Sequence, residues 1–298
     1  MWERAADHDL VVVATANDSH AELARAAIDH GLAVVVDKPL APSSAEAQDL
    51  VDRAAAAGVP LPVFHNRRWD SDFLTAKRLL ADGALGDVHR LESRFERWRP
   101  EAPEGAWRFA TDRAGGGGVL LDLGTHLVDQ AIQLFGPVAD VHGDVRSVRG
   151  TPADDDVFIA LRHTSGQTSH IWASDVAPQP GPRLRLIGSE GAFVVEALDG
   201  QEDALGAGRR PDDGAPWGIE PPERWGRIIR GPDATPEPIQ PEPGAWPEFY
   251  LRLEATLRSK GQLPVNPHDA VEVLHTLEAT AEPLRTPHPA PNVRHAPP

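Results

Sequence analysis

The sequence predicts an α/β protein that begins with a doubly wound parallel sheet and continues into an α+β domain with an open, largely antiparallel sheet. Two observations predict the first part: short β-branched apolar segments alternate with helix patterns, and polar residues follow each apolar segment. A third observation predicts the second part, because its strand patterns follow one another across short turns.

Continuous apolar runs predict three strands that are covered on both faces of the first sheet. These strands are expected at Leu10–Ala14, Leu32–Val36 and Val59–Phe64. Capping-box patterns, Ser19 with Glu22 and Ser43 with Glu46, predict the start of a helix after each of the first two strands. In such doubly wound sheets, ligands bind beyond the carboxyl ends of the strands.

Polar clusters follow all three of these strands. They are Thr15-Ala16-Asn17 with His20, Asp37-Lys38-Pro39, and the segment from His65 to Trp69. Lys38 ends a buried strand and precedes a proline, which favours a polarising or proton-transferring role, although a lysine on a loop is commonly a solvated surface residue. Arg67 and Arg68 have the same two interpretations, as ligands or as a solvated pair.

The rest of the chain predicts helices and strands in a different order. Helices are expected at Ser71–Asp82, Glu248–Lys260 and from the N-cap Asn266 to about Glu282; strands at Val88–Trp98, Val138–Arg149, Val157–His163, Thr168–Asp175, Arg183–Gly188 and Ala192–Ala197. Glu101–Ala114 is expected to be a loop that contains Trp107-Arg108, and Asp199–Pro247 a long ordered excursion with little regular structure.

The segment Gly115–Gly136 predicts one amphipathic helix, since its leucines recur at helical spacing and Gly136-Pro137 ends it. Asp122 and His126 are spaced i, i+4 and should share a face, with Gly124 leaving that side free of bulk. A carboxylate beside an imidazole favours the protonated ring and suits general acid/base chemistry. Two alternatives remain open: a solvated helix face, and a metal site shared by the two side chains.

Composition excludes several classes of protein. The chain has 298 residues, of which 41% are hydrophobic, enough for one large or two ordinary domains. A net charge of −16 argues against a general nucleic-acid or anionic-membrane surface, and the absence of cysteine excludes disulfides and thiolate chemistry. Without a long apolar run or a leader pattern, we expect a cytoplasmic protein that does not enter a membrane.

The motifs VVVATANDSH, VVVDKPL (in place of Glu-Lys-Pro), VFHNRRWDSDFLT, GGGGVLLDLGTHLVDQAIQLFG and PGAWPEFY occur in this order. In these motifs the chain resembles the glucose-fructose oxidoreductase / inositol dehydrogenase / rhizopine-catabolism (Gfo/Idh/MocA) family, most closely the branch of NADP-dependent scyllo-inositol dehydrogenases. The resemblance implies hydride transfer between NADP or NAD and a sugar or polyol. It also implies that Lys38, Asp122 and His126 are catalytic, with His126 taking the hydroxyl proton, Lys38 polarising that oxygen and Asp122 orienting the substrate.

The resemblance further implies a set of cofactor-binding residues and no metal. Thr15, Asn17 and His20 would lie near the cofactor, Pro39 would shape the nicotinamide pocket, and Arg68, Trp107 and Arg108 would serve that pocket or the cofactor phosphates. The open sheet would form dimers or tetramers, so the expected partners are a small-molecule substrate and further copies of the chain.

The sequence departs from the family pattern at its start. No G-x-G-x-x-G precedes Leu10, so the dinucleotide-binding domain (residues 1–68) is expected to be a partial Rossmann sheet without its first βαβ units, followed by a substrate and oligomerisation domain (69–285) and a disordered tail (286–298). Either Met1 is a fragmentary start of a full dehydrogenase, or the chain is a cofactor-free sugar-binding or assembly protein. In this form we expect weak cofactor binding and a tendency to aggregate at the exposed sheet edge.

Overall fold

The computed structural model describes residues 2–101, 107–259 and 261–281. Its first part is a parallel sheet of the order β1-β2-β3 within these residues, which confirms the predicted doubly wound arrangement. The elements are β1 (Leu10–Val13), α1 (His20–Asp29), β2 (Ala33–Asp37), α2 (Ser44–Ala57) and β3 (Val63–Phe64). β3 is shorter than predicted because Pro60 and Pro62 have no N–H to donate, although their carbonyls accept hydrogen bonds from Val34 and Val36.

Helices cover both faces of this sheet. Val34 and Val36 belong to the main hydrophobic core with residues of α1 and α2. Val35 points the other way and packs with Phe249 and Leu253 of α7 (Pro247–Ser259). The chain therefore returns, late in its sequence, to cover the second face of its first sheet.

The second sheet has the order β11-β10-β9-β8-β4-β7-β6-β5 in the described part of the chain. Its strands are β4 (Val88–Glu96), β5 (Val138–Arg146), β6 (Asp156–His163), β7 (Thr168–Ser174), β8 (Leu184–Gly188), β9 (Gly191–Val195), β10 (Arg227–Ile229) and β11 (Glu237–Pro238). Every neighbouring pair is antiparallel except β4 with β7, so the predicted open, largely antiparallel sheet is confirmed.

Two segments that were predicted to be irregular contain short regular elements. The excursion from Asp199 to Pro247 contains α6 (Gln201–Gly206) and adds β10 and β11 to the sheet, where Ile228 pairs with Phe193. These strands are too short to show a period of two in the sequence. Within the predicted loop Glu101–Ala114, residues Trp107–Ala110 form the short helix α4, while residues 102–106 lie outside the described part.

The remaining helices are α3 (Ser71–Ala81), α5 (Thr125–Phe135) and α8 (Pro267–Thr280). α5 packs on β4 and β7, and α8 packs on α5, β5 and α2. The carboxylate of Glu278 in α8 accepts hydrogen bonds from the backbone N and the hydroxyl of Ser44, at 2.7 and 2.5 Å. This contact attaches the last helix to the first domain. The predicted tail, 286–298, lies outside the described residues.

Of the two predicted capping boxes, one forms its N-cap hydrogen bond. The Ser43 hydroxyl accepts a hydrogen bond from the backbone N–H of Glu46 at 3.3 Å. The Ser19 hydroxyl instead donates to the carbonyl of Ala16 at 2.7 Å and makes no capping hydrogen bond to α1. A 3-10 turn, Asn17–Ser19, precedes α1 and takes the serine out of capping geometry. None of the helices in the ranges described is long and apolar enough to cross a membrane.

Candidate active site

A π turn opens the segment that was predicted to be one regular helix. Leu120–Gly124 adopt π geometry and continue directly into α5. The Asp154 carboxylate accepts a hydrogen bond from the backbone N of Leu120 at 2.7 Å and so holds the start of the turn. A Cβ on Gly124 would lie 3.2 Å from Leu277, which shows that this glycine admits α8 and does not clear space beside Asp122.

Lys38 and Asp122 form the central contact of the site. The Lys38 Nζ donates to Asp122 Oδ1 at 2.7 Å and to the Asp122 carbonyl oxygen at 2.6 Å. Both side chains are largely buried, with 12% and 24% exposure. Burial would raise the pKa of Asp122, but the Lys38 ammonium outweighs it and the pKa falls to about 2. Because Lys38 follows β2 and Asp122 lies in the π turn, this contact joins the two domains.

His126 differs from the sequence-based expectation. Asp122 pairs with Lys38 and forms no ion pair with His126, because the wider π turn changes the spacing on the helix surface and the carboxylate faces the ammonium. Burial, followed by the charge of Lys38, lowers the pKa of His126 well below its usual range. The ring is therefore neutral at neutral pH, and its buried Nδ1 has no hydrogen-bond partner among the described residues.

The three predicted catalytic residues line one cavity of about 470 Å³. It opens at the carboxyl ends of β2 and β3, the end at which doubly wound sheets bind ligands. Its wall also includes Phe95, Arg67, Arg97, Arg99, Arg108 and Glu202. A larger groove of about 1010 Å³ lies at the opposite ends of β1 and β2, and no histidine or lysine of the described residues lines it.

The residues predicted to contact the cofactor from β1 and β2 surround the neighbouring strand ends without lining this cavity. The ring nitrogens of His20 lie 2.8 Å from the Pro39 carbonyl oxygen and 3.1 Å from that of Thr15, so His20 joins the two loops. Asn17 is buried and donates its side-chain amide to the carbonyl of Gly116 at 2.8 Å. This bond ties the end of β1 to the glycine run before the π turn.

Arg68, which the resemblance placed in the nicotinamide pocket or on the cofactor phosphates, does not line the cavity. Its guanidinium pairs with Asp129 of α5 at 2.5 Å and with Asp269 of α8 at 2.9 Å. Arg108 does line the cavity, with its Nε 4.0 Å from Asp122 Oδ1, whereas Trp107 only stacks under Arg108 and is absent from the wall. Arg68 is thus committed to the buried ion pairs between helices.

Several cavity residues were missed by the sequence reasoning. Phe95, Arg97 and Arg99 occupy alternate positions at the end of β4, a period-two signal that indicates one face of the sheet. Arg67 faces the cavity and pairs with Glu202 at 2.6 Å, so it is not the solvated loop residue that was one of its interpretations. His65, which is buried behind the cavity, lies 3.8 Å from Asp129, and burial lowers its pKa.

The site therefore combines an ammonium, a carboxylate and a neutral imidazole. In the ranges described, no group of three or more His, Asp or Glu residues is arranged to hold a metal ion. An ammonium can polarise a hydroxyl or carbonyl oxygen, and a neutral imidazole can accept its proton. These are the groups needed for chemistry at a carbinol carbon.

Comparisons with known proteins agree with this architecture. Residues 2–65 match the oxidoreductase family with an NAD-binding Rossmann fold, and residues 73–194 match the GFO/IDH/MocA C-terminal domain. The chain is 35% identical to scyllo-inositol 2-dehydrogenase (NADP(+)) IolW of Bacillus subtilis over 92% of this chain and 76% of that protein. It is 37% identical to the uncharacterized oxidoreductase YdgJ of Escherichia coli, over 92% and 78% respectively.

Solved structures show the same fold. The putative oxidoreductase yvaA from Bacillus subtilis superposes with a TM-score of 0.84 at 33% identity, covering 94% of this chain and 81% of that one. The YPO2259 putative oxidoreductase from Yersinia pestis gives 0.83 at 36% identity, covering 93% and 78%. With an NAD-binding Rossmann domain followed by the family's C-terminal domain, this chain belongs to the Gfo/Idh/MocA family of oxidoreductases.

Proposed function

We propose that the protein transfers hydride between NADP or NAD and a secondary alcohol of a sugar or polyol of the inositol class. The observation that supports this most is the Lys38 ammonium, held 2.7 and 2.6 Å from two oxygens of Asp122 in the cavity that His126 also lines. The name of the Bacillus subtilis relative, a scyllo-inositol 2-dehydrogenase that uses NADP(+), supports the substrate class.

The described residues fit the nicotinamide end of such a cofactor. A bound nicotinamide would supply a hydride acceptor for the carbinol carbon, or a hydride donor in the reverse direction. The cavity lies at the strand ends of the NAD-binding domain, and the buried Nδ1 of His126 beside it has no partner among the described residues. We assign Thr15, Asn17, His20 and Pro39 to the cofactor side of the site, with Arg108 at its rim and no cofactor contact for Arg68 or Trp107.

In this proposal, side chains of the protein bind the substrate oxygen and transfer the hydroxyl proton. Lys38 binds the substrate oxygen and stabilises negative charge on it as the hydroxyl proton leaves. His126, neutral because burial lowers its pKa, accepts that proton in alcohol oxidation and returns it in carbonyl reduction. Asp122 fixes the ammonium and orients a neighbouring hydroxyl, since its carboxylate remains ionised with a pKa of about 2.

We also propose that the outer face of the second sheet joins copies of the chain. On this face the rings of Phe158 and Trp172 are 5.2 Å apart, and the Arg94 guanidinium stacks 3.8 Å from the Trp172 centroid. Such a rigid aromatic and arginine surface has the composition of interface centres. Sedimentation of the protein should give a dimer or tetramer, and Trp172→Glu should shift it towards monomer.

The test of the proposed function combines cofactor binding and turnover. NADPH is titrated into the protein while nicotinamide fluorescence is followed, and inositols and aldoses are then screened for reduction of NADP and NAD. Lys38→Met should abolish turnover while Lys77→Met, which removes an exposed lysine on α3, should keep it. Sugar binding with no effect of NADPH on any signal, even with NADPH in the large excess that the expected weak binding requires, would instead indicate a cofactor-free sugar-binding protein and would refute the proposal.

A further inference from the structure

We infer that the substrate of this cavity bears an anionic group, a carboxylate or a phosphate, that is bound by a wall of arginines distinct from the Lys38 contact. This wall consists of Arg97, Arg99 and Arg108. The inference rests on the proposed function, which identifies the cavity as the substrate site, and it narrows the substrate class.

The position of the wall follows from strand geometry. Along β4 the inward side chains run Leu91, Ser93, Phe95, and the same alternation continues past the end of the strand to Arg97 and Arg99. An apolar inner face thus becomes basic where it meets the cavity. The overall composition does not explain this basic end of the strand. Arginine is the chain's usual cation, but the chain as a whole has a net charge of −16. The location of the charges is the informative observation.

The backbone holds two of these arginines in place. The N–H of Arg97 donates to the carbonyl of Ser174 at 2.8 Å, and the N–H of Arg99 donates to that of Asp175 at 2.7 Å. Arg108 is carried by α4 across the cavity mouth, next to Asp122. The backbone of Arg97 and Arg99 is therefore fixed before a ligand arrives, and binding has to order only the arginine side chains.

Four carboxylates line the cavity. Asp37 accepts a hydrogen bond from the N–H of Lys38 at 2.8 Å, Asp203 lies 3.8 Å from Arg224, and the other two carboxylates are engaged more tightly than the arginines of the wall. Asp122 binds Lys38 at 2.7 Å, and Glu202 binds Arg67 at 2.6 Å. Among the described residues, the arginines of the wall have only distant partners: Arg97 lies 3.5 Å from Asp175, Arg108 lies 4.0 Å from Asp122, and Arg99 has no ion pair. The positive charge of this wall is thus available to an oxyanion.

The location of the wall favours substrate over cofactor as the source of that oxyanion. The residues at the end of β1, Thr15 and Asn17, are absent from the cavity wall, whereas Lys38 and His126 are part of it. The arginines thus share a cavity with the proposed reaction centre and not with the strand end assigned to the cofactor. A volume of about 470 Å³ suits a monosaccharide acid or phosphate.

The experiment measures probe binding without requiring turnover. The protein is titrated calorimetrically at low ionic strength with D-glucuronate, D-glucose 6-phosphate and neutral D-glucose. We expect at least one anionic probe to bind about tenfold or more tightly than glucose. A hydrogen bond between charged groups is stronger than a neutral one by an energy that corresponds to about tenfold in affinity. High salt should reduce the difference. Equal affinities, or binding of no probe by the folded protein, would overturn the inference.

Variants assign the preference to the wall. Arg97→Gln with Arg99→Gln should remove the preference, while Arg99→Lys should keep most of it because the charge remains. Arg162→Gln, which removes an exposed arginine paired with Asp140, is the matched control and should behave as wild type. Circular dichroism confirms that each variant is folded.

Two further results separate the possible failures. If the double variant weakens NADPH binding tenfold and leaves probe preference unchanged, the wall binds cofactor phosphates and the inference is wrong. If the protein oxidises neutral polyols with no preference for anionic ones, the inference fails while the proposed function stands. If it prefers the anionic probes and shows no NADP- or NAD-dependent turnover, the proposed function fails and the wall remains an anion site.

Discussion

At the scale of single residues, the site depends on how Lys38 and His126 are held. Lys38 donates to two oxygens of Asp122, and burial, followed by the charge of Lys38, lowers the pKa of His126. The sequence showed that an acid and an imidazole share a helix, but it suggested that they pair with each other. It could not show that a lysine from another domain would take the carboxylate.

The neutral state of His126 predicts the pH dependence of catalysis. Because burial lowers its pKa well below the usual range, the base form persists below neutral pH, and the acid limb of kcat/KM for alcohol oxidation should lie well below pH 6.5. His126→Gln should reduce kcat about 10²- to 10⁴-fold and remove that limb. His170→Gln, on the outer sheet face, is the control. An acid limb at or above pH 6.5 that survives His126→Gln would contradict the role of His126 as the base.

The Lys38–Asp122 pair predicts a pH-dependent part of stability. The pKa of Asp122 is about 2 in the folded protein and 3.8 as an ordinary value, so its stabilisation is complete above about pH 4 and is lost as pH falls towards 2. The free energy of unfolding of the wild type should exceed that of Asp122→Asn by about 2 kcal/mol at pH 5. This difference should shrink as the pH falls. Urea unfolding at several pH values measures it, with exposed Asp87→Asn as the control; a pH-independent difference would refute the pairing.

At the scale of elements, the π turn does what the predicted regular helix would not. It presents both the carbonyl oxygen and the carboxylate of Asp122 to Lys38, and α5 continues from it into the core. The apolar period of the segment was sufficient to predict a helix, and the buried strands could also be predicted from their apolar runs. The π turn could not be predicted, because it leaves the apolar pattern nearly unchanged.

Asp154, which holds the first residue of the π turn, should affect both stability and activity. Asp154→Ala should lower the free energy of unfolding by about 1 kcal/mol through loss of the bond to Leu120, and should reduce turnover. Asp154→Asn keeps an acceptor and should retain turnover.

The buried carboxyl group of Asp154 should also make the stability of the protein depend on pH. Burial raises the pKa of Asp154 to about 6, above the ordinary 3.8, so the folded state takes up a proton and gains stability from this group as pH falls through about 6. Asp154→Asn should lack that gain between about pH 7.5 and about pH 5. Identical pH profiles of the urea midpoint for wild type and Asp154→Asn would show that the carboxyl titrates normally.

At the scale of the whole molecule, the site exists because two sheets are held in one fixed relation. Lys38 comes from the first domain, proposed to end at residue 68, and Asp122 and His126 from the second. The long-range contacts that fix this relation, such as Arg68 with Asp129 and Asp269, join residues far apart in the chain. Sequence patterns report local structure, so they indicated both sheets but could not show that Arg68 pairs with Asp129 and Asp269.

Arg68 should therefore matter for stability and not for cofactor affinity. Arg68→Gln leaves two carboxylates without their buried partner and should lower the free energy of unfolding by about 3–5 kcal/mol. Arg53→Gln, which removes an exposed pair with Asp29, should change it by less than about 1 kcal/mol. NADPH affinity of the folded Arg68→Gln protein should match wild type; a selective loss of affinity would return Arg68 to the cofactor site.

The most direct measurement is a double-mutant cycle on kcat for NADP- or NAD-dependent alcohol oxidation, using Lys38→Met, His126→Gln and the double variant. If both side chains act on one carbinol oxygen, their effects are not additive, and the double variant should be only slightly slower than the slower single variant. Losses that multiply independently, or turnover of either single variant close to that of Lys77→Met, would show that Lys38 and His126 do not form one catalytic site.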